Sequence, residues 1–148
     1  MKLKKNFNLS LDKFINFSLY NKKSGYYFKK NPFGINGDFI TAPNISRLFS
    51  EMLAIWVIKF WQSLGSPKKF NLIELGAGNG EMMKVIIETL KNFPECFHNC
   101  NFQIHEKSKL LKEKQQLPTG IVSTQKLIPL TSSNFIENKR DRFKLHFY

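Results

Sequence analysis

A chain of 148 residues with 42% hydrophobic content and 15 Phe can bury one ordinary core, which excludes a disordered or fibrous polypeptide. Its formal charge of +12 is carried almost wholly by Lys scattered from Lys2 to Lys144, with Arg only at Arg47, Arg140 and Arg142 and no basic cluster much longer than Lys29-Lys30 or Lys68-Lys69. Base reading and bidentate phosphate contacts favour Arg, so a basic RNA- or DNA-binding module is the weaker reading and the charge is taken as compositional drift.

In chain order, Met1 to Asn6 is basic but lacks the apolar run of a secretion signal, and Ser10 can cap a helix whose stripe Leu11, Phe14, Ile15 and Leu19 is expected to pack on the core. Residues 24–39 are too rich in Gly, Pro and Asn for continuous helix and form an aromatic loop. Thr41 and Pro43 begin a helix in which Leu48, Phe49, Met52, Leu53, Trp56 and Phe60 recur at helical spacing until Gly65. Met52 to Trp61, broken by Lys59, is too short to cross a bilayer. Phe70 to Leu75 suits a central parallel strand, and Met82, Met83, Ile86, Ile87 and Leu90 mark a second buried helix that stops near Pro94. Phe102 to Glu106 reads as the second strand, Ser108 to Gln116 as a polar helix, and Gly120 to Thr124 as the start of a third strand. Beyond it the pattern fades, and Asn134 to Tyr148 offers no convincing amphipathic element. Cys96 and Cys100 lie near His98 and His105, but they form neither a C-x2-C unit nor a spaced His pair, so no metal site is expected. Two isolated thiols without a secretion signal suggest a reducing compartment. The expectation is a cytoplasmic protein, with a mitochondrial leader as the weaker alternative.

The most informative stretch is Leu72 to Gly80. A strand ending in Glu74 runs into Gly76, Gly78 and Gly80, which give a tight turn, close approach of main chain to a ligand, and entry to a helix. A dinucleotide site would place its last glycine at position 81, but Glu81 stands there and would repel a pyrophosphate. The E-x-G-x-G-x-G spacing instead resembles the first motif of Rossmann-like methyltransferases that use S-adenosyl-L-methionine (SAM), a donor with a cationic amine and sulfonium and no phosphate. A ligand-free glycine turn is the alternative. Glu106, at the end of the second strand, is placed where an acidic side chain accepts hydrogen bonds from ribose hydroxyls in nucleotide-binding α/β folds, unless it is simply a solvated strand-end carboxylate.

Taken together, Ser24-Gly25-Tyr26-Tyr27, Asn31-Pro32-Phe33-Gly34, Gly37-Asp38-Phe39-Ile40-Thr41-Ala42-Pro43-Asn44-Ile45-Ser46, Glu51, Trp56, Trp61 and Leu72 to Gly80 resemble the MidA-like SAM-dependent methyltransferases. The eukaryotic members are mitochondrial assembly factors for respiratory complex I. The resemblance runs from about Leu9 to about Gln116, and its G-D-F-x-T-[AS]-P block is more specific than the glycines alone. It implies a class I methyltransferase fold of the α/β, Rossmann-like type, of which this chain would carry only the N-terminal part. Residues 1–66 would be a helical and loop extension, 67–125 the first part of the SAM-binding domain, and 126–148 an atypical tail. By analogy it also implies methylation of arginine in a protein substrate, such as a complex I subunit.

Carried onto this chain, Glu74, Gly76, Gly78 and Gly80 would form the SAM loop and Glu106 the ribose contact. Gly37, Asp38, Phe39, Thr41 and Pro43 would form a wall of the methyl-transfer pocket. Asn44 stands where the family usually has Glu, Asn21-Lys22 replaces the usual Asp-Pro, and Ala77-Gly78-Asn79 replaces a more usual Pro-Gly-Arg. An arginine acceptor needs carboxylates to grip its guanidinium and help remove a proton, and Asp38 and Glu51 are the candidates; a turn-former and a surface helix residue are their plainer roles. Family members are considerably longer. The pattern of early motifs followed by unfamiliar sequence leads to the expectation of a frameshifted or prematurely terminated gene, an open sheet edge, marginal stability and impaired activity.

Overall fold

The computed structural model describes residues 9–29, 32–34, 36–116, 118, 121–124 and 143–147. The expectations placed on Met1 to Asn8, Lys30, Asn31, Ile35, Leu117, Gly120 and residues 125–142 lie outside this set. Four strands form a parallel sheet: β1 (Phe70–Leu75), β2 (Cys100–His105), β3 (Val122–Thr124) and β4 (Phe143–Phe147), ordered β3-β2-β1-β4. Seven helices accompany it among the described residues: α1 (Leu11–Tyr20), α2 (Tyr26–Lys29), α3 (Ala42–Ile45), α4 (Arg47–Ser63), α5 (Glu81–Leu90), α6 (Pro94–Asn99) and α7 (Lys109–Lys112). This is part of a Rossmann-like α/β fold.

The strand order has a functional consequence. From β1 the sheet grows one way through β2 and β3 and the other way through β4, so the order reverses beside β1. In open parallel sheets ligands bind in the crevice at the carboxyl end of the strands at such a reversal. The carboxyl end of β1 is Glu74-Leu75, directly before the glycines.

β1 is held on both sides, Phe70 to Leu75 pairing with Cys100 to His105 and Phe70 to Glu74 with Phe143 to Phe147. Phe70 and Leu72 of β1 join Phe102 and Ile104 of β2 in one core with Val57 and Trp61 of α4, Met83, Ile86 and Leu90 of α5, and Cys96 of α6. α4 and α5 therefore pack on each other and cover one face of the sheet. The indole N–H of Trp61 donates to the Pro67 carbonyl at 3.0 Å, which satisfies the polar edge of a buried ring and fixes the turn into β1.

Several sequence expectations are corrected. The helix begun at Thr41 is broken at Ser46, whose backbone is extended (φ −144°, ψ 122°), into α3 and α4. The Asn44 side chain donates to the Thr41 hydroxyl at 2.7 Å, a local bond of the kind that competes with helix continuation. The apolar stripe of α4 is also the opposite one from that expected: Ser50, Ala54, Val57, Ile58 and Trp61 are buried, whereas Met52 is 61% and Trp56 48% exposed. Both faces of this helix are apolar, so periodicity alone could not choose between them. The α1 stripe does not reach the core, Leu11 being 73% exposed. α1 is held instead through Lys107, whose ammonium donates to the Asn16 side chain at 2.7 Å and lies 4.0 Å from the Tyr20 ring centroid. The loop around Cys96 is a short helix opened by Pro94, a residue preorganised for the first helical turn. The tail holds β4, where Phe143, Leu145 and Phe147 alternate with Lys144 and His146 at strand period.

The choice of buried stripe is open to measurement. Ile58→Ala is expected to lower the unfolding free energy by about 2–5 kcal/mol and Met52→Ala to change it by no more than roughly 0.5 kcal/mol, read by urea unfolding. The reverse ranking would contradict the packing.

Candidate functional site

The glycine loop is built from backbone conformations that side chains rarely adopt. Gly76, Gly78 and Gly80 have φ of 73°, 56° and 79°, and a Cβ on Gly78 would also meet the Phe33 ring at 3.3 Å. The loop turns over the end of β2, where the Gly76 and Ala77 N–H groups donate to the His105 carbonyl at 2.8 and 3.2 Å.

Glu106 lies one residue beyond β2 and is 6% exposed. Its Oε2 accepts from the Gly78 N–H at 2.8 Å and its Oε1 from the Ser108 N–H at 2.6 Å. The carboxylate thus grips the donor-loop backbone directly, and lone pairs on both oxygens stay free for a further donor. Gln115 completes the grip by donating its side-chain N–H to the Gly78 carbonyl at 2.8 Å. Ser108, fully buried, caps α7 by accepting from Leu111 N–H and donates its hydroxyl to the Tyr27 carbonyl at 2.6 Å, so the same segment anchors the N-terminal aromatic region.

Glu74 is the electrostatic centre. It is 5% exposed, and the Met83 backbone in the first turn of α5, whose N-cap residue Gly80 has no side chain, offsets part of the cost of its charge. Its Oε2 has no hydrogen-bond partner among the described residues. Burial, opposed only in part by the Met83 backbone and reinforced by the Glu106 carboxylate, pushes its pKa up to about 8.

Glu74, Gly76 and Gly78 border a hollow of about 300 Å³. Thr41, Pro43 and Asn44 from α3 and the residue before it, Phe33 and Phe49 form the opposite side, and Asn79, Glu81 and Met82 close the α5 end. Of the residues singled out from the sequence, Glu74, Gly76, Gly78, Thr41 and Pro43 are brought together here. Gly80 and Glu106 do not line the hollow: Gly80 opens α5, and Glu106 is bonded to Gly78, which does line it.

Gly37, Asp38 and Phe39 do not border the hollow. They shape the loop that carries Phe33 to it: Phe39 N–H donates to the Pro32 carbonyl at 2.9 Å, and a Cβ on Gly37 would lie 2.4 Å from that same oxygen. The Asp38 carboxylate accepts from the Tyr26 hydroxyl, which pushes the tyrosine up to about 12. Glu51 accepts from the Arg47 guanidinium at 2.7 Å, and Arg47 also pairs with Glu88 of α5 at 3.0 Å. Asp38 and Glu51 are thus held in separate polar contacts away from the hollow. Tyr26 and Tyr27 stack into an aromatic group with Tyr20, Phe33 and Phe39.

Sequence reasoning gave no site role to Phe33, Asn79 or Gln115, and it filed Phe49 with the stripe of the helix after Thr41 and Met82 with the core. Phe33 was visible inside the Pro-Phe-Gly step. Gln115 carries no local signal, because its partner is 37 residues away.

Comparison with known proteins gives consistent results. Residues 52–120 match the sequence model of a family described as "putative S-adenosyl-L-methionine-dependent methyltransferase". A Drosophila melanogaster relative named protein arginine methyltransferase NDUFAF7 homolog, mitochondrial, is 38% identical over 99 residues, covering 66% of this chain and 22% of its own. The Homo sapiens protein arginine methyltransferase NDUFAF7, mitochondrial, is 37% identical over 114 residues, covering 76% and 25%. This chain therefore spans about a quarter of the length of the curated relatives it matches. In fold, a COG1565 superfamily member from Burkholderia thailandensis, bound to S-adenosyl-homocysteine, superposes with a TM-score of 0.67 at 23% identity, covering 80% of this chain and 33% of that one. The expectation of a cytoplasmic protein is overturned by the names of these relatives, which are mitochondrial. Among the described residues no helix is long and apolar enough to cross a membrane.

The Glu74 shift fixes the sign of a pH effect on stability. The unfolded chain releases this proton near 4.5 and the folded one near 8, so between those values the folded state binds more protons and stability falls as pH rises. Glu74→Gln is expected to remove a loss of roughly 2–4 kcal/mol between pH 5 and 8 in chemical denaturation. An unchanged slope in the variant would contradict the assignment.

Proposed function

We propose, from the match of residues 52–120 to the SAM-dependent methyltransferase family model, that the hollow at the end of β1 binds this donor and serves methyl transfer to a protein side chain. The observation that carries the proposal is the Glu74 carboxyl, almost wholly buried, facing the hollow with one oxygen unpartnered. An apolar ligand would leave it unsatisfied and a phosphate would repel it. The donor's ammonium fits it, and the glycines leave room for the main chain to approach. Glu106 can accept from ribose hydroxyls on the lone pairs that Gly78 and Ser108 do not use.

When bound, the donor supplies a methyl group already activated by its sulfonium. The protein's part is alignment and charge placement rather than covalent catalysis. Phe33, Thr41, Pro43 and Phe49 add apolar and hydroxyl surface to the lining of the hollow. The acceptor is an arginine of a protein substrate, as the relatives' names support, within mitochondria. A respiratory complex I subunit is the narrower form of this reading and rests on the family resemblance. Glu81, which borders the hollow and among the described residues makes a loose ion pair with Lys84 at 4.0 Å, is better placed to meet a guanidinium than Asp38 or Glu51.

Calorimetry with SAM tests the binding step. Wild type is expected to bind and Gly78→Val to lose detectable binding, because a β-branched side chain at φ 56° is strained and collides with Phe33. Equal signals would defeat the site. Because the donor's ammonium favours ionised Glu74, affinity is expected to rise from pH 6 towards 8, by up to about tenfold per unit, and to flatten above. A flat profile would remove Glu74 from donor binding. Radiolabelled donor with arginine-containing protein substrates then reads transfer, and label on lysine alone would overturn the arginine assignment.

A further inference from the structure

The residue Gly78 has both of its backbone polar groups taken by side chains from beyond β2: its N–H by Glu106 and its carbonyl by Gln115, each at 2.8 Å. A peptide group is planar, and in the trans form its C=O and N–H point in opposite directions. No cis peptide occurs among the described residues. The Gly78 carbonyl and the Asn79 N–H belong to one peptide unit, so turning the carbonyl towards Gln115 turns the Asn79 N–H away from it. Asn79 borders the hollow, as does Glu74.

An amino-acid head group carries a cation and an anion on neighbouring atoms, so a site for it needs an acceptor and a donor close together. Glu74 is the acceptor. We infer that Gln115 is a positioning residue that sets the Gly78–Asn79 peptide so that the Asn79 N–H faces the hollow as the donor for the carboxylate of a ligand's amino-acid end. This rests on the donor site proposed above and adds a residue outside the glycine motif to it. Asn79 itself supports the arrangement through its side chain, which accepts from Glu81 N–H at 3.4 Å and keeps the turn into α5.

The consequence is selective. Loss of the Gln115 donor frees the peptide to rotate, which weakens ligands that have a carboxylate and leaves alone those that lack one. S-adenosyl-homocysteine carries the amino-acid end; 5′-methylthioadenosine carries the same nucleoside and a thioether without it. Affinities of both are to be measured by calorimetry on wild type, Gln115→Leu and Gln115→Glu, the last being nearly isosteric so that a fold defect in the Leu variant does not decide the result. Both variants are expected to bind S-adenosyl-homocysteine about tenfold more weakly, with methylthioadenosine unchanged. Equal weakening of both ligands, or no weakening, would overturn the positioning role. Wild type binding neither ligand would overturn the donor site itself, and the inference with it.

Discussion

A carboxyl group taken out of water at the end of the central strand sets the terms for the rest of this site. Glu74 follows Leu72 on the core-facing side of β1, so its side chain enters an apolar layer where ionisation is costly. Its Oε2 has no hydrogen-bond partner among the described residues. Burying an acid in this unsatisfied state lowers the stability of the empty protein, a cost that the cation of the proposed donor would offset. A site of this kind is strained towards its ligand rather than optimised for its own folding.

The surrounding residues set that buried carboxyl at the border of the hollow. The strand order reverses at β1, which opens a crevice at its carboxyl end. The glycine loop crosses the crevice and is tied by its backbone to β2 and to the segment after it, through His105, Glu106 and Gln115. The N-terminal region comes to the same place by a separate route, since Ser108 holds the Tyr27 carbonyl and Phe33 stacks on Tyr27 while lying against Gly78. The Gly-Asp-Phe block therefore acts at one remove: its glycine and phenylalanine fold the loop that delivers Phe33, and its aspartate is occupied by Tyr26.

What the sequence disclosed follows from how local each signal is. The strand ending in Glu74, the spaced glycines and the α5 stripe are contiguous, and the structure has them where the spacing put them. Glu106 was legible because acidic residues after a second strand have a known use, although its grip on Gly78 was not, since that bond spans 28 residues. The wrong face of α4 was chosen because that helix is apolar on both sides and only the packing of α5 selects one. Asp38 and Glu51 drew attention as carboxylates in suggestive settings; in the structure Asp38 accepts from the neutral Tyr26 hydroxyl and Glu51 pairs with the Arg47 guanidinium, contacts that no local pattern signals. β4 was hidden by the polar residues that precede it, although its own alternation carried the strand period.

The central claim is that the donor's cation is received by the buried Glu74 carboxyl. The most direct measurement is the side-chain carboxyl carbon resonance of Glu74, isotopically labelled and assigned through Glu74→Gln, followed at pH 7 as S-adenosyl-homocysteine is added. The account predicts a neutral acid in the empty protein, since its pKa is about 8, and a shift to the ionised carboxylate on saturation. A resonance already ionised without ligand, or one that stays neutral while the ligand binds, would contradict it.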